Sequence, residues 1–253
     1  MPRRTSQSPA AHSPAAKPRG QTRRAPVLQK TLERRSQILS AASKVFAKKG
    51  FERATIAEIA REAGVAEGSI YNYFKNKSDL LVSIPRQFIQ PAIQSLGLDA
   101  IASGRAKPGG EAASGATDIG ALRADPTLML TQVARNIIAA TTQNAEVLRV
   151  LMSSLPVMNR ATQAKYLEQV PLYALGMLET YFRMQVEAGI FRGDLNPAMA
   201  ARAFPGLLFP FLLIQEILPA TAGERFDYEQ VIAHVVQVFL HGTLAEDRTR
   251  KVV

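Results

Sequence analysis

Apolar residues recur at helical spacing through most of this chain. Ile38, Ala42, Val45 and Phe46, with Lys49, fall on one face of a helix. Gly50 ends it, and Phe51 folds back as the hydrophobic partner of that stop. A second stripe, Ile56, Ile59, Ala60 and Ala63, follows the spacing i, i+3, i+4, i+7. Thr55 with Glu58 forms a capping box that starts this helix, and Gly64 can take the left-handed conformation that breaks it. A third helix begins near Ala66 and sets Ile70 and Phe74, one turn apart, on its inner face. Asn76 then caps a fourth, whose free first-turn amides attract anions.

Beyond residue 77 the pattern stays helical, with no convincing alternating strand. Helices are predicted over 127–142, 145–153, 163–188, 197–218 and 228–240. Their boundaries carry signals: Gly189-Ile190 as a stop, Asn196-Pro197 as a cap with proline in the first turn, and Asp227 with Gln230 as a capping box. Residues 97–126 are rich in Gly, Ala and Ser, the composition of a flexible connection. Pro85 and Pro91 fall in the fourth helix, and each removes an intrahelical bond, so a kink is expected there; the alternative is a helix that ends before Pro85 and restarts. Residues 203–218 are apolar almost all round, and Val231, Ile232, Val235, Val238 and Phe239 form a stripe. Both need burial. A two-fold interface through Leu207, Phe211, Ile214, Val231, Val235, Val238 and Phe239 is one way to supply it; an intramolecular core is the other.

The formal charge of +10 is concentrated at one end. Residues 1–35 hold nine Lys or Arg and one acid, whereas residues 81–253 hold fifteen of each sign. Such a distribution suits a DNA-facing N-terminus and a body without need of polyanions. Residues 1–30 are rich in Pro, Ala, Ser and Arg without a hydrophobic run, so they read as a disordered basic arm. Its expected contacts with phosphates or the minor groove are Arg23, Arg24, Lys30, Arg34 and Arg35. The chain has no Cys, hence no disulfide or thiolate metal site, and cytoplasm is the expected compartment. The longest apolar run, 203–214, is shorter than the roughly 20 residues of a bilayer span, and no membrane partner is expected.

The chemistry concentrates in the third helix. Gly68 and Asn72 lie almost opposite Ile70 and Phe74 at about 100° per residue, so they top the exposed ridge. A helix entering the major groove needs a small residue for close approach and a side chain that pairs with base edges; Asn can bond adenine N6 and N7 together. An ordinary helical hairpin with a solvated outer face is the rival reading, and the flanking helices count against it.

Residues 34–81, RRSQILSAASKVFAKKGFERATIAEIAREAGVAEGSIYNYFKNKSDLL, resemble the DNA-binding region of TetR-family transcriptional regulators. The resemblance rests on the helix-ending Gly-Phe, the Thr that opens the second helix, the Ala-Gly-Val turn, the Tyr-x-Tyr-Phe run and the Lys-x-Lys-x-x-Leu-Leu that leads into the fourth helix. It implies an all-α subunit: a three-helix helix-turn-helix domain at 31–76, then a helical-bundle effector-binding and dimerisation domain at 77–245 and a charged tail at 246–253. It further implies a homodimer on a palindromic double-stranded operator, released or altered by a small-molecule effector, with repression the commoner mode. By position it puts Thr55, Tyr71, Tyr73 and Lys77 on phosphates and Glu67, Gly68, Ser69 and Asn72 at base edges. Two positions depart from the family habit: Asn72 stands where an aromatic residue is common and Ala66 where a hydroxyl residue is common. Glu67 has two readings, a contact to a cytosine amine or a charge favoured by the helix N-terminus.

The effector pocket implied by the family is expected among the fourth to seventh helices. Candidates to line it are Phe88, Met129, Met152, Met158, Tyr166, Tyr173, Met177 and Phe182, although stripes of this kind are more often core. Their scarcity of polar atoms favours a lipophilic or aromatic effector. The rival class is a helical small-molecule-binding protein or enzyme with an apolar pocket. It finds little support: HExxH, GxxxxGK and GxGxxG are absent, and the only histidines are His12, His234 and His241. No cofactor and no metal is expected.

Overall fold

The computed structural model describes residues 24–98, 124–218 and 225–243. These residues form helices and turns without a strand. The elements are α1 (Arg24–Arg53), α2 (Ile56–Ala63), α3 (Glu67–Ile70), α4 (Lys77–Ser83), α5 (Pro85–Ser95), α6 (Pro126–Gln143), α7 (Ala145–Ser154), α8 (Arg160–Leu167), α9 (Tyr173–Glu187), α10 (Pro197–Leu212) and α11 (Tyr228–Thr243).

Helices α1 to α4 make a head. The α1 rod breaks at Gly50, whose φ of 75° is the left-handed region, and the chain folds back so that the Phe51 ring lies 5.8 Å from that of Phe46. The expected capping box opens α2: Thr55 Oγ1 accepts from the Glu58 amide at 3.2 Å, and the Glu58 carboxylate accepts from the Thr55 amide at 3.3 Å. Gly64 closes α2 at φ 62°, which a residue with a Cβ adopts only at a cost. Ile38, Phe46, Ile59, Ile70, Phe74, Leu80 and Leu81 converge in one buried cluster. Thr55→Ala removes the side-chain half of the cap and is expected to lower stability by about 1 kcal/mol. Thermal unfolding of the full chain checks it; an unchanged midpoint would contradict the cap's role.

The body packs α6, α9, α10 and α11 around Met129, Tyr181, Phe182, Phe191, Phe204 and Phe239. Its aromatic rings touch in sequence, Phe182 to Phe239 at 5.5 Å and Phe239 to Phe204 at 5.2 Å. Head and body are not cleanly separated at residue 77. Helix α4 buries Leu80, Leu81 and Val82 in the head, and α7 of the body adds Val147 and Leu151 to the same cluster.

Several elements differ from their sequence expectation, and prolines account for most of the differences. The helix expected over 163–188 begins at Arg160 and passes through a π-helical stretch, Glu168–Leu172, because Pro171 offers no N–H to the α-helical ladder. The helix expected over 197–218 is α-helical to Leu212 and π-helical over Leu213–Ile217, downstream of Pro205 and Pro210. At Pro85 the ladder is interrupted, as the alternative reading had it: α4 stops at Ser83 and α5 restarts at Pro85, with Ile84 between them still at φ −59°, ψ −48°. Pro91 stays within α5. Helix α1 begins at Arg24, inside the segment read as arm, where Gln29 donates to Glu33 at 2.9 Å along its exposed surface. Most of the arm, residues 99–123 of the connection and the charged tail lie outside the described residues.

Candidate functional site

Helix α3 is a single turn. After Ile70 the chain tightens, with the Asn72 amide bonded to Ser69 O at 3.3 Å and the Tyr73 amide to Ile70 O at 2.9 Å. The Phe74 amide still reaches Ile70 O at 3.0 Å, so Ile70 and Phe74 share a face and both are buried. The outer face therefore keeps the orientation read from the spacing. Glu67, Gly68, Tyr71 and Asn72 are exposed and Ser69 is half-buried. The side chains of Glu67, Ser69, Tyr71 and Asn72 make no hydrogen bond among the described residues, so their donors and acceptors are open to a guest. Gly68 is informative for what it does not do. A Cβ there would meet nothing within 4 Å, so no internal contact demands glycine, and an external surface in close approach would.

The four expected phosphate contacts divide. Thr55 is exposed at the start of α2, and its hydroxyl accepts from Glu58, which leaves its hydrogen free to donate outward. Tyr71 is exposed; Tyr73 is half-buried against the head cluster. Lys77 points inward: its ammonium donates to Glu52 O and Ala54 O, each at 3.1 Å, and lies 4.5 Å from the Phe51 ring centre. One N–H remains for a phosphate. Of the arm residues, Arg23 and the side chain of Arg24 lie outside the description, Lys30 is exposed, and Arg34 is exposed while donating to Gln37 at 3.0 Å. Arg35 lies 4.9 Å over the Phe74 ring, where burial and then the Arg86 charge hold its guanidinium below its ordinary value.

The first turn of α4 is occupied by its own acid. Asn76 Oδ1 accepts from the Asp79 amide at 2.8 Å, and the nearly buried Asp79 carboxylate accepts from the Lys75 amide at 2.9 Å and pairs with Lys165 of α8. Among the ion pairs of the described residues, Lys165–Asp79 alone joins the body to the head.

Behind the head lies an apolar cavity of about 390 Å³, walled by α5, α6, α7, α8, α9, α10 and both π-helical stretches. Of the residues expected at an effector pocket, Phe88, Met152 and Tyr166 line this cavity. The other candidates do not. Met129 and Phe182 are core, Tyr173 and Met177 pack on the body cluster, and Met158 packs on the head cluster. What sequence reasoning missed are the aliphatic residues Ile89 and Ile93 on α5, Leu96 at its C-cap, and Val133 and Ile137 on α6, together with Pro85, Pro171 and Pro205. The prolines were the available signal, because they distort the helices that part around the cavity. Phe88, Leu148 and Tyr166 touch both the cavity and the head cluster, so the wall of one is the roof of the other. Burial pushes the Tyr166 phenol above its ordinary range, which keeps it protonated.

Burial corrects the expected interface. Val231, Val235 and Phe239 lie in the subunit's own core, and Phe211 is half-buried with its ring 5.6 Å from that of Phe226. Leu207, Ile214 and Val238 are exposed. Leu207 and Ile214 continue a stripe, Ala203, Gly206, Leu207, Pro210 and Ile214, and Val238 belongs to another on α11 with Ala233, His234, Gln237 and His241. The segment Pro197–Ile217 is, at 21 residues, also long and apolar enough to cross a membrane by length and composition, and 28% of its apolar 18-residue stretch is buried within the chain.

Residues 38–84 match the family model of bacterial regulatory proteins of the tetR family, and residues 128–242 match that of the C-terminal domain of AefR-like transcriptional repressors. The fatty acid metabolism regulator protein of Bacillus subtilis is 50% identical over 48 residues, which is 19% of this chain and 25% of that relative. The curated match thus spans only a quarter of the relative's length. Solved structures share the fold over most of the chain, two of them with named roles. Thermus thermophilus FadR, a TetR family transcriptional repressor solved with lauroyl-CoA, is 20% identical with a TM-score of 0.58, covering 87% of this chain and 100% of that one. SmeT, the repressor of the Stenotrophomonas maltophilia multidrug efflux pump SmeDEF, is 19% identical with a TM-score of 0.54, covering 84% and 91%.

Proposed function

The chain belongs to the TetR family of bacterial transcriptional regulators, and we propose that it acts in the cytoplasm as a homodimeric repressor on a palindromic operator, released when a lipophilic effector fills the body cavity. One observation carries the reading: an exposed α3 face with unpaired polar side chains sits on a core that shares Phe88, Leu148 and Tyr166 with an apolar cavity. Base readout then falls to Glu67, Gly68, Ser69 and Asn72, and backbone positioning to Thr55, Tyr71, Tyr73 and the remaining N–H of Lys77. Arm residues, with Lys30 and Arg34 the exposed ones described, add counterion release.

The exposed stripes of α10 and α11 supply the two-fold interface. Leaving that much apolar surface in water would be an aggregation liability, and a self-complementary contact removes it from both subunits. Two recognition turns related by such an axis must meet successive major grooves, about 34–36 Å apart. Sedimentation of the full chain with a palindromic duplex tests this directly: two chains per duplex support the reading, and one chain per duplex contradicts it.

Coupling between cavity and groove runs through α4 and α8. Pro85, at the break between α4 and α5, lines the cavity, and Asp79 at the other end of α4 is tied to Lys165 beside Tyr166. A ligand that moves α8 therefore pulls on the turn that follows α3. Lys165→Met should lower stability by about 2 kcal/mol, less than the 3–5 kcal/mol of a fully buried pair because a third of the Lys165 side chain is exposed. It should also shrink the effector-induced change in operator affinity, a change that by linkage is reciprocal. Chemical denaturation and operator titration with and without effector measure both; a full effector response in this variant would remove the pair from the mechanism.

A further inference from the structure

The cavity wall is nearly closed to polar chemistry. No charged side chain lines it among the described residues, and its polar side chains are Asn136, Thr141 and Tyr166. Two of the three are already committed. The Asn136 amide donates to Ala92 O at 3.0 Å and Ser95 Oγ at 3.3 Å, and its carbonyl accepts from Gln132 at 3.0 Å. Thr141 Oγ1 donates to Ile137 O at 2.9 Å. The Tyr166 hydroxyl has no hydrogen-bond partner among the described residues, so it is the one uncommitted polar side chain of the wall.

Transferring an ionised carboxylate or phosphate into such a wall leaves its charge uncompensated, whereas a neutral oxygen needs only one partner. The basic residues Lys44, Lys48 and Arg149 line a different cleft, between α1 and α7. Resting on the reading of this cavity as the effector site, we infer that the effector is an uncharged lipophile carrying a single hydrogen-bonding oxygen, and that Tyr166 selects it by pairing with that oxygen. The volume of about 390 Å³ lies at the small end of ligand cavities and suits a compact guest. Tyr166 is also well placed to report occupancy, since it packs on the head cluster and its chain neighbour Lys165 holds Asp79.

The test uses the full chain and four probes of equal chain length: 1-octanol, n-octane, octanoate at pH 8 and octanoyl-CoA. The expected order puts 1-octanol about tenfold tighter than n-octane, the scale of one net hydrogen bond, with octanoate and octanoyl-CoA weaker than 1-octanol. Tyr166→Phe, checked for folding by its melting curve, should erase the octanol advantage while leaving n-octane binding unchanged. Equal binding of octanol and octane, an advantage that survives Tyr166→Phe, or tighter binding of either anionic probe would overturn the inference. Operator affinity is measured alongside. If the probes follow the expected order but none changes operator binding, Tyr166 keeps its selecting role and the effector reading fails instead.

Discussion

Aspartate in place of Ile214 or Leu207 is expected to convert the protein to a monomer and to lower operator affinity by about 10²–10⁴-fold. These residues are 55% and 39% exposed on one stripe that runs from α10 into the π-helical stretch after it and also presents Ala203 and Gly206, so a partner helix can approach closely there. A carboxylate on that stripe would be desolvated without a counter-charge in a dimer and simply hydrated in a monomer. Loss of the second recognition turn then removes the avidity that two linked half-sites provide. Sedimentation velocity reads the association state, and titration of operator reads the affinity. Val235→Ala is the matched control: Val235 is buried in the subunit's own core, so this change should cost stability and leave association intact. A dimer that survives both aspartates would move the interface elsewhere.

The second large effect sits on α3 and the turn that follows it, where one substitution should leave stability unchanged and the other should raise it. Asn72→Ala removes the amide that can bond an adenine edge and should lower operator affinity by about 1–3 kcal/mol, relaxing preference at one base pair. Its side chain makes no bond within the described chain, so stability should not move. Gly68→Ala should raise stability by about 0.5–1 kcal/mol, because the helical position has open space for a Cβ, and yet weaken operator binding by crowding the groove. A thermal melt and a binding isotherm on each variant suffice. If Gly68→Ala bound operator as well as the parent, close approach at this position would be excluded.

Most of the head was legible in the sequence because its signals are local. A capping box, a left-handed glycine and a stripe of period 3.6 each depend on residues within one or two turns, and Thr55, Glu58, Gly64, Ile70 and Phe74 behave as their spacing requires. Burial, by contrast, is a non-local property. The stripe Val231, Val235, Phe239 announced that it would be covered, but nothing in the spacing says whether the cover is the same chain or a second one; the chain's own α6 and α10 supply it. The cavity was harder for the same reason. Met129 and Phe182 carry the large side chains expected of a pocket and instead fill the core, while the wall is made of ordinary Ile, Val and Leu residues set apart by proline-distorted helices. Lys165 and Asp79, 86 positions apart, had no signature at all, since ion pairs between domains leave no periodic trace.

The most direct test is to equilibrate the intact chain with a pool of random duplexes at moderate ionic strength and sequence the bound fraction. Enrichment of an inverted repeat, bound roughly 10³-fold or more tighter than bulk duplex and degraded at one position by Asn72→Ala, is the predicted result. A bound fraction with the composition of the starting pool would contradict the assignment of α3 as the element that reads base sequence.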